Sequence, residues 1–144
     1  MQRHKVIPAI YLLIEKEKQI LLQRRYHTGY KDGEYGLVSG HVDQGEPAIT
    51  ALIREAEEEI GIKIKKENVE LIYTLFRKSE YEEERLDLFF KVNSWAGDIE
   101  NKEPNKCDDL QWFDKTNLPN NTITYINKVL QDIKQKINYG EWGW

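Results

Sequence analysis

With 144 residues, 40% of them apolar and 11% aromatic, the chain is large enough for a real hydrophobic core and too apolar for disorder. A net charge of −4 argues against a general binder of nucleic-acid polymers or anionic membranes, though not against a small anionic ligand met by a local cation. The single cysteine, Cys107, excludes an internal disulfide and a cysteine-based zinc site.

The first element expected is a strand over Val6–Ile14 (VIPAIYLLI). It follows Arg3-His4-Lys5 and superficially resembles a secretory signal. No small-residue cleavage site comes after it, however, and the run is too short to span a bilayer. The reading is therefore a buried strand and a cytoplasmic protein, and Asn120-Asn121-Thr122 is a fortuitous glycosylation pattern. A second strand, Ile20–Gln23, lies beyond a charged turn at Lys16–Lys18. Tyr26–Gly36 reads as an exposed loop, Tyr35–Ser39 as a short strand, and His41–Gly45 as a tight connection.

Pro47 suits the start of a helix, and Ala48–Ile60 contains no breaker. Ile49, Leu52, Ile53, Ala56 and Ile60 recur at helical spacing and form its core face, and Gly61 ends it. Val69–Phe76 and Leu86–Val92 read as strands flanking a charged stretch, Arg77–Arg85. Trp95–Lys106 reads as a polar loop, Leu110–Phe113 as a strand, and Asn121–Ile137 as an amphipathic closing helix. The tail Tyr139–Trp144 (YGEWGW) carries three alternative readings: a cap on the core, a homodimer contact, or a cover for a pocket. With no repeat or linker, residues 1–144 are expected to form one domain. Strands mixed with two long helices give an α/β or α+β sandwich of sheet and helices.

The helix poses a chemical question. Glu55, Glu58 and Glu59 stand at i, i+3 and i+4, so their carboxylates share one face, whereas Glu57 points elsewhere. Crowded like charges repel unless something positive sits among them. Hard divalent cations prefer such oxygen ligands, and magnesium commonly combines a few carboxylates with water and substrate phosphate. That is the chemistry of phosphoanhydride cleavage. The plain alternative is a solvated acidic face.

The surrounding spacing favours the chemical reading. Gly40, Glu46, Arg54-Glu55-Ala56, Glu58-Glu59 and Gly61-Ile62 are separated by five, seven, one and one residues. This resembles the signature of the Nudix hydrolase family, with Ala56 smaller than the usual Leu or Ile at its position. The resemblance implies an α/β/α sandwich with a mixed sheet, a loop–helix–loop box and a C-terminal helix. It also implies magnesium, or manganese in its place, and cleavage of a nucleoside diphosphate linked to another group. Glu55, Glu58 and Glu59 would be metal ligands, joined by the main-chain carbonyl of Ser39. Glu46 and Arg54 would tie loop to helix, and Gly40 and Gly61 would serve backbone conformation.

Beyond the box, the chain resembles the MutT-like branch. Arg24-Arg25 ends the second strand where that branch keeps a phosphate-contacting arginine, and Arg25 is the expected contact. Glu103, in the loop Trp95–Pro104, fits an extra glutamate near the metals, as ligand or as the base acting on water. Asn120, before the last helix, fits a contact to a purine edge, with helix capping by Asn120 or Asn121 as the alternative. Of the aromatics, Tyr35, Tyr81 and Tyr125 are candidates to stack on a base, while Phe89 and Trp112 follow strand patterns. Tyr81 has the spacing of diadenosine-polyphosphate hydrolases, whereas the proline of ADP-ribose hydrolases is missing. His4, His27 and His41 form no metal-ligand spacing, and no Walker loop or HExxH is present.

The expected activity is thus magnesium-dependent hydrolysis of a nucleoside triphosphate or related nucleoside-diphosphate derivative, as in cleansing of the nucleotide pool. Glu58, Glu59 and Glu103 are the candidate catalytic residues. The alternatives are a hydrolase of dinucleoside polyphosphates or nucleotide sugars, and a non-catalytic module that senses a nucleotide.

Overall fold

The computed structural model describes residues 1–144. Its centre is β1 (Ile7–Lys16), whose residues Ala9–Ile14 are all buried. Burial on both faces explains why the sequence here is continuously apolar rather than alternating. Ala9, Tyr11 and Leu13 face one core cluster; Ile10, Leu12 and Ile14 face another.

The sheet has eight strands in the order β3-β2-β1-β6-β5-β8, with β4 pairing β1 and β7 pairing β2. The remaining strands are β2 (Gln19–Arg25), β3 (Tyr35–Gly36), β4 (Val38–His41), β5 (Val69–Lys78), β6 (Glu84–Val92), β7 (Cys107–Asp114) and β8 (Tyr139–Trp142). The β1–β6 and β5–β8 pairs are parallel and the others antiparallel, so the sheet is mixed. Helix α1 (Ala48–Ile60) buries Ala51, Leu52, Ala56 and Ile60 against the face of Ile10 and Leu12. Helix α2 (Thr124–Lys134) buries Tyr125, Ile126 and Val129 against the face of Tyr11 and Leu13. The result is an α/β/α sandwich.

Several expected boundaries move. The segment Tyr35–Ser39 becomes two short strands, and His41 belongs to β4 rather than to the connection after it. β5 continues past Phe76 through Arg77 and Lys78, and β6 begins at Glu84, because the charged stretch pairs as a ladder, Arg77 with Arg85 and Lys78 with Glu84. β7 begins at Cys107, three residues before the expected start.

Helix α2 starts late. Ile123 N–H donates to the Tyr35 carbonyl at 2.8 Å, and Asn121 Nδ2 donates to the Gly33 carbonyl at 2.7 Å. These bonds commit Asn121–Ile123 to β3 and its loop, so neither asparagine caps the helix. The helix also ends at Lys134, because the chain turns at Lys136 (φ 62°) to enter β8. The tail is therefore an edge strand on β5, not a cover over a pocket, and Trp144 Nε1 donates to the Phe76 carbonyl at 3.0 Å. No helix is long and apolar enough to cross a membrane.

Candidate active site

The main cleft lies on the sheet face that carries α2, and its volume is about 720 Å³. Its floor is Ala9 and Tyr11 of β1, Ser39 and His41 of β4, and Arg77 and Arg85 from the β5–β6 hairpin. Gln23 and Arg25 of β2 and Cys107 of β7 form one wall, and Tyr125 and Ile126 of α2 border it. The edge of α1 contributes Glu55 and Glu59, and the loop after β6 contributes Glu103.

The loop before α1 is fastened to it by one arginine. Arg54 Nη2 donates to Glu46 Oε1 at 2.6 Å, and Arg54 Nε donates to Glu46 Oε2 at 3.3 Å. Glu46 Oε1 in turn accepts the Asp43 N–H at 2.9 Å. The Arg54 guanidinium holds the Glu46 carboxyl below the usual range. Gly40 sits where β4 passes under α1. A Cβ built there would fall 2.5 Å from Glu55 Cγ, so any larger residue would have to displace the Glu55 side chain or β4. At the other end Gly61 adopts φ 73°, and its N–H donates to the Glu57 carbonyl at 3.1 Å, closing the helix with a left-handed residue.

The three helix carboxylates do not all meet. Glu55 and Glu59 line the cleft with Glu103, whereas Glu58 is exposed and turns toward Arg54, 3.4 Å from Nη1. The same Nη1 donates to Glu55 Oε1 at 2.8 Å, so a guanidinium nitrogen lies between two of the expected ligands. No three acidic or histidine side chains stand close enough together to hold one ion in this arrangement.

Glu59 is the unusual member. Its Oε2 is buried and has no hydrogen-bond partner. Burial, then the charges of Glu55 and Glu103, push its carboxyl up to about 8. Burial also raises Glu55, opposed by Arg54. An isolated buried carboxylate is costly, and a cation beside it removes that cost.

Glu103 is held by its backbone: its N–H donates to Asn101 Oδ1 at 3.0 Å, and Asn101 Nδ2 donates to the Cys107 carbonyl at 2.7 Å. The loop itself docks on α1 through Lys102 N–H to the Glu59 carbonyl at 3.0 Å. Arg25 Nε donates to the Tyr30 carbonyl at 2.6 Å, which fixes its head at the cleft wall. Asn120 is exposed and does not line the cleft, so it is not brought together with the other expected site residues.

Sequence reasoning missed Arg77, Arg85, Asp87 and Tyr30. Arg77 and Asp87 are buried, and Arg77 Nε donates to Asp87 Oδ2 at 2.7 Å. The signal for Arg77 was available in the alternation Tyr73, Leu75, Arg77, which puts it on the buried face of β5. Asp87, within the apolar run Leu86–Phe90, was a comparable anomaly.

An α/β/α sandwich whose sheet face holds a cleft edged by box carboxylates defines a Nudix-type domain. The profile described as the NUDIX domain matches residues 3–133, and the chain belongs to that family. Among solved structures it is similar to a MutT NUDIX hydrolase from Burkholderia pseudomallei, with a TM-score of 0.81 and 24% identity over 90% of this chain and 99% of that one. It is also similar to the E. coli ORF135 protein, with a TM-score of 0.75 and 22% identity over 91% of this chain and 90% of that one.

Curated relatives include a protein of Chromobacterium violaceum named NAD-capped RNA hydrolase NudC. It is 32% identical over 115 residues, which are 80% of this chain and 40% of that protein. A second, from Photobacterium profundum and of the same name, is 41% identical over 64 residues, 44% of this chain and 23% of that protein. The chain thus spans less than half the length of these relatives. Nudix hydrolases generally use divalent metal ions. The donors here fit such an ion: all are oxygen, and one buried carboxylate oxygen lacks any partner.

Proposed function

We propose that the chain is a divalent-metal-dependent hydrolase that cuts the diphosphate linkage of a nucleoside triphosphate or a related nucleoside-diphosphate derivative. The observation that carries this reading is the orphaned, buried Oε2 of Glu59 beside Glu55 and Glu103 at the end of an open polar cleft. No hydrogen-bond donor of the chain reaches it and the Arg25 charge offsets its burial only in part, whereas a divalent cation held there would compensate it.

Magnesium, or manganese in its place, would be held by Glu55, Glu59 and the Ser39 carbonyl; such an ion neutralises phosphoryl oxygens and makes a bound water more acidic. Glu58 reaches the same ion only by releasing Arg54. Arg25, at the β2 wall of the cleft, offers a fixed guanidinium to the diphosphate and orients it. Glu103 is the base: it accepts a proton from water as the water oxygen bonds to phosphorus. The bridging P–O bond breaks and its electron pair leaves with the departing phosphate. Arg54 and Glu46 position α1 over β4 and touch no reacting atom. Asn120 reaches a base only if the loop before α2 moves toward the cleft.

A second reading is cleavage of a dinucleotide such as NAD, free or as an RNA cap. It is favoured by the names of the curated relatives. A panel of nucleoside triphosphates, nucleotide sugars, dinucleoside polyphosphates and NAD, with and without magnesium, tests both. Magnesium-dependent release of phosphate or a mononucleotide supports cleavage, and the substrate pattern chooses between the readings. Binding of nucleotide without turnover of any member would mean a sensing module instead.

A further inference from the structure

Arg85 has no role in the chemistry above, yet it lines the same cleft. Its neighbour Arg77 is fully engaged. Besides its bond to Asp87, the Arg77 guanidinium lies over the Tyr125 ring at 4.1 Å, and its Nη1 reaches the Tyr30 hydroxyl at 3.3 Å. Arg85 is not so engaged. Its side chain is only 12% exposed, but its nearest acids are Asp87 Oδ1 at 3.7 Å and Glu83 Oε1 at 3.8 Å, both outside hydrogen-bond reach. Arg85 Nε and Asp87 Oδ1 are each buried without a partner. The one short contact of the Arg85 head is Nη2 to His41 Nε2 at 3.1 Å.

One buried guanidinium, Arg77, and one largely buried guanidinium, Arg85, thus share the buried carboxylate of Asp87, because the Glu83 side chain is 46% exposed and screened by water. The cleft floor here holds an excess positive charge that is only partly solvated, which favours an anion. A guanidinium fork suits a phosphate better than any other common anion except a carboxylate. Although β6 pairs with β1 and β1 with β4, the Arg85 side chain reaches back to His41, the last residue of β4, so this basic patch lies beside the end of that strand.

We propose that Arg85 forms a second phosphate subsite, so that the preferred substrate carries a phosphoryl group beyond the diphosphate that is cut. The position of the scissile bond rests on the cleavage reading above; the subsite itself does not. Two sources supply such a group: the end of a longer phosphate chain, and a phosphate ester on the far nucleoside of a dinucleotide.

The first arm uses inorganic triphosphate without metal, followed by calorimetry. The wild-type chain binds it, and Arg85→Gln weakens binding by about tenfold or more, the worth of a charge-assisted hydrogen bond. Glu83→Gln, at an exposed position, removes a competing acid and tightens binding. The second arm uses hydrolysis of matched pairs, nucleoside diphosphate against triphosphate and NAD against NADP. In Arg85→Gln, KM rises for the member with the extra phosphate while kcat holds, and the pair that responds identifies the source.

Equal loss for both members of each pair overturns the proposal, as does unchanged triphosphate binding. If Arg85→Gln does not fold by circular dichroism, Glu83→Gln decides, and an absence of tightening overturns it. If no nucleotide is cut at all, the cleavage reading fails while the metal-free arm still judges the subsite.

Discussion

Replacing Glu59 by glutamine should inactivate the protein and at the same time stabilise its metal-free form. The ordinary carboxyl value is 4.5, and in the folded chain Glu59 stands near 8 because it is buried beside two other acids. The folded state therefore binds a proton that the unfolded state has released throughout the interval between those values, and stability falls as pH rises across it. Each pH step of one is worth about 1.4 kcal/mol, so at pH 7 the native carboxyl costs roughly 3 kcal/mol. Glutamine is neutral at every pH and avoids most of that cost.

For a chain of this size, 3 kcal/mol corresponds to about 10 °C in Tm. The assay is thermal unfolding of wild type and Glu59→Gln in chelator at pH 5 and pH 7. The variant should gain about 10 °C at pH 7 and only about 3 °C at pH 5. Excess magnesium with nucleotide should then stabilise wild type and not the variant. A variant no more stable than wild type at pH 7, or equally stabilised at both pH values, would refute the reasoning. The exchange of stability for function at one carboxylate is what a metal site predicts.

Two further outcomes follow from named contacts. Gly40→Ala places a methyl group 2.5 Å from Glu55 Cγ, which forces the Glu55 side chain or β4 aside; the cost in stability should be on the order of 1–3 kcal/mol, with a larger proportional loss in kcat/KM, read from denaturant unfolding and steady-state kinetics. Asp132 accepts the Tyr73 hydroxyl at 2.6 Å and Lys128 Nζ at 3.0 Å, and these bonds hold its carboxyl below the ordinary 3.8. The stability it supplies is present above that ordinary value and is lost as pH falls through the lower folded one, so the deficit of Asp132→Asn should be full at pH 7 and shrink toward pH 3 in urea titrations.

The parts of the fold that were legible are those where one local pattern decides. Helix α1 shows both its apolar stripe and its glycine stop, and the structure begins and ends it at the expected residues. β1 is readable because a strand buried on both faces has no polar position to interrupt it. What failed depended on partners distant in sequence. Arg77 looked like the start of a charged loop, since its counter-charge Asp87 is ten residues away and becomes its neighbour only through the β5–β6 register. The tail strand could not be read because its ladder is with β5, and Gly140 is buried against the Tyr73 ring that fills the space a side chain would need.

The site was legible in its spacing and not in its rotamers. The i, i+3, i+4 pattern placed Glu55, Glu58 and Glu59 on one face, but it could not foresee that Arg54 would draw Glu58 out of the cleft. Nor could it show that Glu59, rather than its neighbours, is the most desolvated. Asn120 was chosen by its place before the last helix; the bonds of Asn121 and Ile123 to the β3 region leave it on the exposed side of that turn.

The most direct measurement is anomalous diffraction from a crystal grown with manganese and a non-hydrolysable nucleoside triphosphate. The account predicts an ion about 2.1 Å from carboxylate oxygens of both Glu55 and Glu59, also bonded to a phosphoryl oxygen. Nucleotide bound in the cleft with no ion at those two carboxylates would contradict it.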